Sequence, residues 1–322
     1  MQRRILGVYF ILPLVFAVSL TACQRMPDKI EGDRYQNGLI ATGATPDSAD
    51  VLDDCTDIIR DMNSECEPLI FTEFGALPTG PTDHACAENS GRMERTSYLG
   101  WLTPDLVPVL VYLPPCYGDL NQRYPVLYLL HGKPQDEQHW QILGVEDVLD
   151  GAYWDDTLPP FLVVMPLQPE PLFSSTDGGP GSYEAEFING LVPFVDRTYR
   201  TIAQGDSRGL AGVSRGGVWA LEIGFRNTDV IQRVGALSPA LNVNYARPEY
   251  DPFGLILQGD MPSKIFFMSG DTDSAYAKTL ELSEALRDAD IKHKYVLESG
   301  NHESSTWRWI IPEMLYYLAA DW

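Results

Sequence analysis

The chain has 322 residues, of which 44% are hydrophobic and 21% charged, and a formal net charge of -22. This is a globular composition, long enough for one large α/β core or two domains. The acidic balance and the lack of any Lys/Arg run after Arg4 exclude a nucleic-acid binder, which needs clustered cations to meet phosphates; the scattered acidic residues read as a soluble, self-repelling surface.

The chain opens with Arg3 and Arg4, followed by the uncharged apolar run Gly7 to Leu20. That run falls short of the roughly 20 residues that span a bilayer, but it fits the apolar region of a secretory leader. It ends in Leu20-Thr21-Ala22-Cys23, which resembles a bacterial lipobox. Residues 1–22 are therefore expected to be a lipoprotein signal peptide, with Cys23 lipidated. The lipid would hold the mature chain to a membrane of the bacterial cell envelope, facing outside the cytoplasm. The alternative is an ordinary signal peptide cut near Ala22.

Residues 23–50 are rich in Gly, Asp, Thr and Pro, without apolar periodicity, and are expected to form a flexible tether. Residues 51–89 are expected to be a disulfide-stapled extension. With Cys23 set aside, Cys55, Cys66, Cys86 and Cys116 remain, an even number in an exported chain. Cys55 and Cys66 are neighbours in a polar segment, and Cys86 and Cys116 flank a hairpin. Of the three pairings available, Cys55–Cys66 with Cys86–Cys116 is the expected one.

From about residue 90 to 322 the pattern is that of one domain. Apolar, β-rich runs recur at 108–114, 124–132, 160–167, 208–213, 233–239, 264–270 and 294–300. Several are continuous, as in parallel strands covered on both faces. Helical patterns fall between them, near 183–198, 215–226, 274–289 and 305–319. Strands alternating with helices imply a doubly wound α/β sheet.

Gly-x-Ser-x-Gly occurs twice, around Ser207 and around Ser214. The pattern marks a nucleophilic serine only where an apolar strand runs into it, small residues surround it and a helix follows. Ser207 follows the polar stretch Ala203 to Asp206 and has no room for a helix before Gly212. Ser214 follows Gly209 to Val213, has Gly212, Gly216 and Gly217 about it, and leads into an amphipathic helix pattern. Ser214 is the candidate nucleophile and Ser207 a turn residue.

A serine hydroxyl needs a base to take its proton and an acid to orient that base. His302, in the loop after the last strand pattern, is the candidate base. His293, between two lysines, reads as a surface residue, and His84 lies in the extension. Asp271 and Asp273, in the turn after 264–270, are the candidate acids, and either could instead cap the next helix. The backbone N–H groups of Arg215 and Lys133 are candidates for an oxyanion hole. Gly132 lets the chain turn so that the Lys133 amide can point inward, and His131 reads as a structural residue bonding the backbone beside it.

Several stretches together carry a family resemblance: Val111 to Asp119, Tyr124 to Trp140, Leu191 to Thr201, Ala211 to Leu221, Gly235 to Leu241, Gly270 to Asp273 and Gly300 to Trp309. In order and spacing they resemble an esterase group of α/β-hydrolases that includes esterase D, feruloyl esterases, enterochelin esterase and the mycolyltransferases. The resemblance covers about residues 92–320. It implies an α/β-hydrolase fold, with a mostly parallel sheet of about eight strands and helices on both faces. It also implies Ser214 as nucleophile, His302 as base and Asp273, at the fourth position of the Gly-x-x-Asp turn, as acid. Trp140 and Trp307 match family aromatics near the site and are the candidate pocket aromatics. The family often has glycine where Cys116 stands, which strengthens the pairing with Cys86. Lys133 and Pro134 depart from the small or apolar residues usual after His131-Gly132.

The expected function is hydrolysis of small-molecule or polysaccharide-linked carboxylic esters through an acyl-enzyme, with no cofactor and no metal. Feruloyl, acetyl and siderophore esters all fit. The alternatives are acyl transfer to a sugar or lipid alcohol, and a non-catalytic binding lipoprotein on the same scaffold.

Overall fold

A computed structural model describes residues 88–118 and 121–322 of the chain. The expectations for the leader, Cys23, the tether, the Cys55–Cys66 pair and Cys86 lie outside the described residues. Cys116, the only cysteine among the described residues, is disulfide-bonded, so its partner lies outside them too.

Two antiparallel strands, β1 (Arg92–Leu99) and β2 (Leu106–Leu113), form the hairpin expected between Cys86 and Cys116. Six more follow: β3 (Val126–Leu130), β4 (Leu162–Pro166), β5 (Arg208–Val213), β6 (Arg233–Leu237), β7 (Lys264–Gly270) and β8 (Lys294–Glu298). The sheet order is β1-β2-β4-β3-β5-β6-β7-β8, and every pairing from β4 onward is parallel. β3, β4, β5 and β6 are buried at every position. That burial is why they read as unbroken apolar runs. β1, at the edge and mostly half-buried or exposed, has a polar sequence and was not expected as a strand in its own right.

Alternate residues of a strand face opposite sides of a sheet. In β3, Val126, Tyr128 and Leu130 join one apolar core, while Leu127 and Leu129 join the other. The first core is closed by α6 (Arg215–Arg226) and α8 (Tyr276–Asp288), through Trp219, Leu221, Leu282 and Leu286. The second is closed by α2 (Val145–Trp154) and α9 (Ser304–Ala319), through Leu149, Ile310, Met314 and Leu318. Burying each such side chain contributes about 1.5–3 kcal/mol.

The expected helix at 183–198 is three joined pieces: α4 (Tyr183–Glu186), a π-helical turn (Phe187–Leu191) and α5 (Val192–Thr198). Ser182 caps it by accepting from the Glu184 amide. The short helices α1 (His139–Ile142), α3 (Leu172–Ser175) and α7 (Pro252–Ile256) were not expected; segments so short carry little periodicity. α6 also differs from the amphipathic pattern, for it is buried from Gly216 through Phe225. His293 is not a surface residue. It is half-buried, its ring stacks on Phe267 at 5.4 Å, and its nitrogens meet Ser283 Oγ and the Ile291 carbonyl.

Candidate active site

Ser214 stands where β5 ends and α6 begins. Its backbone has φ 56° and ψ -119°, a conformation that L-residues avoid. The surrounding glycines make that turn possible. A Cβ on Gly212 would lie 2.2 Å from the Gly216 carbonyl oxygen, and one on Gly216 would lie 2.3 Å from that of His131. The turn is tied down by the Ser214 amide, which donates to Leu237, and by its carbonyl, which accepts from Val218 and Ala240.

The other two candidate residues converge on this serine. Ser214 Oγ is 2.9 Å from His302 Nε2. On the far side of the ring, Nδ1 lies 2.9 and 3.1 Å from the Asp273 carboxylate oxygens. A proton on Nδ1, donated to Asp273, leaves Nε2 free to accept from the serine. The Asp273 side chain is wholly buried, while that of His302 is about one-third exposed. Burial by itself would raise the pKa of Asp273. Hydrogen bonds from His302, the Ala275 amide and Ser238 outweigh burial and hold it below the usual carboxylate range. Asp271 points elsewhere and accepts from the Gly300 amide at 3.0 Å. Of the two aspartates in the turn, only Asp273 meets the histidine.

Ser238, just past β6, went unassigned in the sequence although it lies in one of the matched stretches. It too has a positive φ, 46°. Its Oγ accepts from Trp307 Nε1 at 2.9 Å, faces Met268 Sδ at 3.8 Å and helps to lower the Asp273 pKa. It thus braces the acid from behind, and no local pattern signals this role.

The segment before α1 lies against the serine. A Cβ on Gly132 would lie 3.3 Å from that of Ser214. His131 is buried and structural, as expected: Nδ1 lies 2.8 Å from the Gly132 carbonyl, and Nε2 accepts from the Gln168 amide at 3.0 Å. Burial lowers its pKa, which favours the neutral ring this bonding needs. His139 accepts weakly from the Gly132 amide at 3.4 Å. Burial pushes its pKa down to about 4.

A cleft of about 590 Å³ opens at Ser214, lined among others by Lys133, Thr176, Asp177, Arg215, Asn244 and Tyr245. It brings together Ser214 and the two residues whose amides were expected to form an oxyanion hole. Trp140 and Trp307 do not line it. Trp140 is 1% exposed, sits in the apolar core and donates to the Leu130 carbonyl. Trp307 is 5% exposed and packs edge-on against His302, with ring centroids 5.1 Å apart. The expectation that these two shape the pocket is corrected: they are core residues, and Trp307 supports the histidine. Among the described residues no cluster of His, Cys, Asp or Glu is arranged to hold a metal ion.

An eight-stranded, mostly parallel sheet with a serine at the β5–α6 turn, bonded to a histidine, defines an α/β-hydrolase fold. The Esterase family model matches residues 103–318, and the chain belongs to that family. It is similar to an endo-1,4-beta-xylanase/feruloyl esterase of Xylanibacter ruminicola, 29% identical over 238 residues. That match covers 70% of this chain but only 31% of the relative. It is also similar to an esterase of Mycobacterium tuberculosis, 35% identical over 136 residues, with 40% of this chain and 27% of the relative covered. The chain thus spans about a third or less of the length of these relatives. Among solved structures, a ferulic acid esterase superposes with TM-score 0.66 at 22% identity, covering 72% of this chain and 99% of the other. An S-formylglutathione hydrolase of Staphylococcus aureus gives 0.59 at 17%, covering 70% and 99%.

Proposed function

We propose that this chain is a serine carboxylic ester hydrolase that works through an acyl-enzyme on Ser214. The observation that supports this reading is the unbroken contact from Asp273 through His302 to Ser214 Oγ. As Oγ attacks the ester carbonyl, His302 Nε2 takes its proton. The carbonyl oxygen becomes an oxyanion that the backbone N–H groups of Arg215 and Lys133 would stabilise. When the tetrahedral intermediate collapses, the bond to the alkoxy oxygen breaks, and the proton on Nε2 passes to the departing alcohol. Water, deprotonated by the same nitrogen, then attacks the acyl-serine. The acid leaves, and Oγ recovers its proton. Asp273 stays ionised throughout, holding the ring's tautomer and stabilising the imidazolium, a role its lowered pKa suits.

A feruloyl-type ester is the substrate class to test first, because relatives with that activity in their names match over most of this domain; acetyl and siderophore esters are the comparison. The leader pattern supports export and lipid anchoring at Cys23. Among the described residues, no helix is long and apolar enough to cross a membrane. The test is hydrolysis of a 4-nitrophenyl ester and of methyl ferulate by the full chain and by Ser214→Ala. The expected result is turnover by the first and none above background by the second. Equal turnover by both would overturn the proposal.

A further inference from the structure

Among the described residues, three charged side chains line the cleft at Ser214: Lys133, Asp177 and Arg215. Two have a counter-ion. Asp177 is held in a fork by Arg247, at 2.7 and 2.9 Å. Lys133 pairs with Glu170 at 3.5 Å and donates to Ser174 Oγ at 2.5 Å. Arg215 differs from both. Its guanidinium donates to three neutral oxygens: the Phe173 carbonyl at 3.2 Å, the Thr176 carbonyl at 2.9 Å and Asn244 Oδ1 at 3.2 Å. It lies over the Trp219 ring, 4.8 Å from the centroid. Among the described residues, no carboxylate comes within 4.0 Å of it.

A guanidinium has five N–H donors, and the three bonds fix its plane while leaving the others free. Two of its partners, Thr176 and Asn244, are themselves cleft residues. The acid that acts on it most strongly is Glu222, seven residues along α6, buried and bonded through Oε1 to Asn244. Its Oε2 has no hydrogen-bond partner among the described residues. Burial pushes its pKa up to about 8, against the pull of Arg215 and Asn244 and with a further push from Asp251 and Asp177. That push favours the uncharged form of Glu222, and its bonded oxygen meets Asn244, not the arginine. In a chain of net charge -22, an immobilised guanidinium beside the reactive serine that none of the described carboxylates pairs with is a place made for an anion.

We propose that the Arg215 guanidinium is an anion subsite, and that the preferred esters carry a carboxylate in reach of it. This inference rests on the esterase reading and narrows its substrate class. It also gives one residue two separate tasks, the backbone N–H toward the oxyanion and the side chain toward the substrate's own charge.

The test uses matched ester pairs that differ only in a carboxylate or its primary amide. On the acyl side these are the mono-4-nitrophenyl ester of glutaric acid and its terminal amide. On the alcohol side they are 4-acetoxybenzoate and 4-acetoxybenzamide. Each rate is normalised to the ester's own hydrolysis by hydroxide. The readout is the ratio of kcat/KM within a pair, which cancels any damage common to both members. The full chain is expected to prefer the anionic member of at least one pair by about tenfold, the scale of one charge-assisted hydrogen bond. Arg215→Met is expected to bring that ratio near one, and Arg215→Lys to restore part of it. If Arg215→Met does not fold, the unaltered protein still decides, because its ratio must fall several-fold as salt rises from about 50 to 500 mM. Ratios near one for both pairs, or a preference that survives Arg215→Met, overturn the subsite. Failure to hydrolyse any of the four esters overturns the esterase reading instead.

Discussion

Ser207 and Ser214 share a five-residue pattern and nearly the same neighbours, yet the fold treats them differently. Ser207 closes a single 3-10 turn (Gly205–Ser207) and is followed by an ordinary extended residue, Arg208. Ser214 has a positive φ, with a buried strand behind it and the first turn of a buried helix ahead. The motif supplies only the small residues. The neighbouring elements decide whether those residues are used to hold a strained backbone. At the first copy a Cβ on Gly205 would meet the Asp229 carbonyl, a loop contact. At the second, Gly212 and Gly216 clear space between the strand, the helix and the His131–Gly132 segment.

The largest expected effect separates the two copies directly. Ser214→Ala lowers kcat on a 4-nitrophenyl ester by about 10⁴-fold or more. Ser207→Ala stays within a few-fold of the unaltered protein. The reverse order would exchange their roles. The two aspartates make the same comparison in miniature. Asp273→Asn removes the charge that fixes the His302 tautomer and is expected to cost about 10³–10⁴-fold in kcat. Asp271→Asn alters only the bond to the Gly300 amide and is expected to cost less than tenfold. Steady-state kinetics on the two variants, each checked for folding by circular dichroism, ranks them.

Ser238→Ala is expected to reduce kcat/KM by about tenfold, since it removes a hydroxyl that favours the ionised form of Asp273 behind the histidine. A change no greater than that of Ser207→Ala would mean Ser238 braces nothing. The smallest effect is on stability. With a folded pKa near 8, against an ordinary value of 4.5, Glu222 keeps its proton in the fold while the unfolded chain gives it up. Its contribution to stability therefore falls as pH rises between those values. Glu222→Gln lacks this fall, so its stability relative to the unaltered protein should be more favourable at pH 8 than at pH 5. The expected difference is about 1 kcal/mol or more, roughly 3 °C in Tm for a domain this size. Thermal melts at the two pH values check it, and a constant offset between the proteins would contradict it.

What could be read in advance follows from where the physics is local. β5, the elbow and α6 were legible because burial on both faces leaves a continuous apolar run, and because the crowded turn admits only glycine about the serine. β1 was not, because an edge strand such as Arg92–Leu99, with only one fully buried position, needs few apolar residues. Asp273 and Asp271 occupy one turn, and only the path of the 299–303 loop decides which meets His302; spacing alone left them open. Ser238 and Trp307 are bonded across 69 residues of sequence, and the two carbonyls that hold Arg215 belong to α3 and the residue after it, 42 and 39 positions away. Such long-range contacts leave no periodic trace. The two tryptophans show the same limit from the other side, for their match to aromatics near the site was real in position but said nothing about exposure.

The central claim is that Ser214, and not its near-copy, is the nucleophile. Trypsin separates the two, because cleavage after Arg200, Arg208 and Arg215 gives the peptides 201–208 and 209–215, with one candidate serine in each. Treating the folded protein with a fluorophosphonate and weighing those peptides is the most direct measurement. The account predicts the added phosphonyl mass on 209–215 alone, and its loss when the protein is denatured first. An adduct on 201–208, or none on the folded protein, would contradict it.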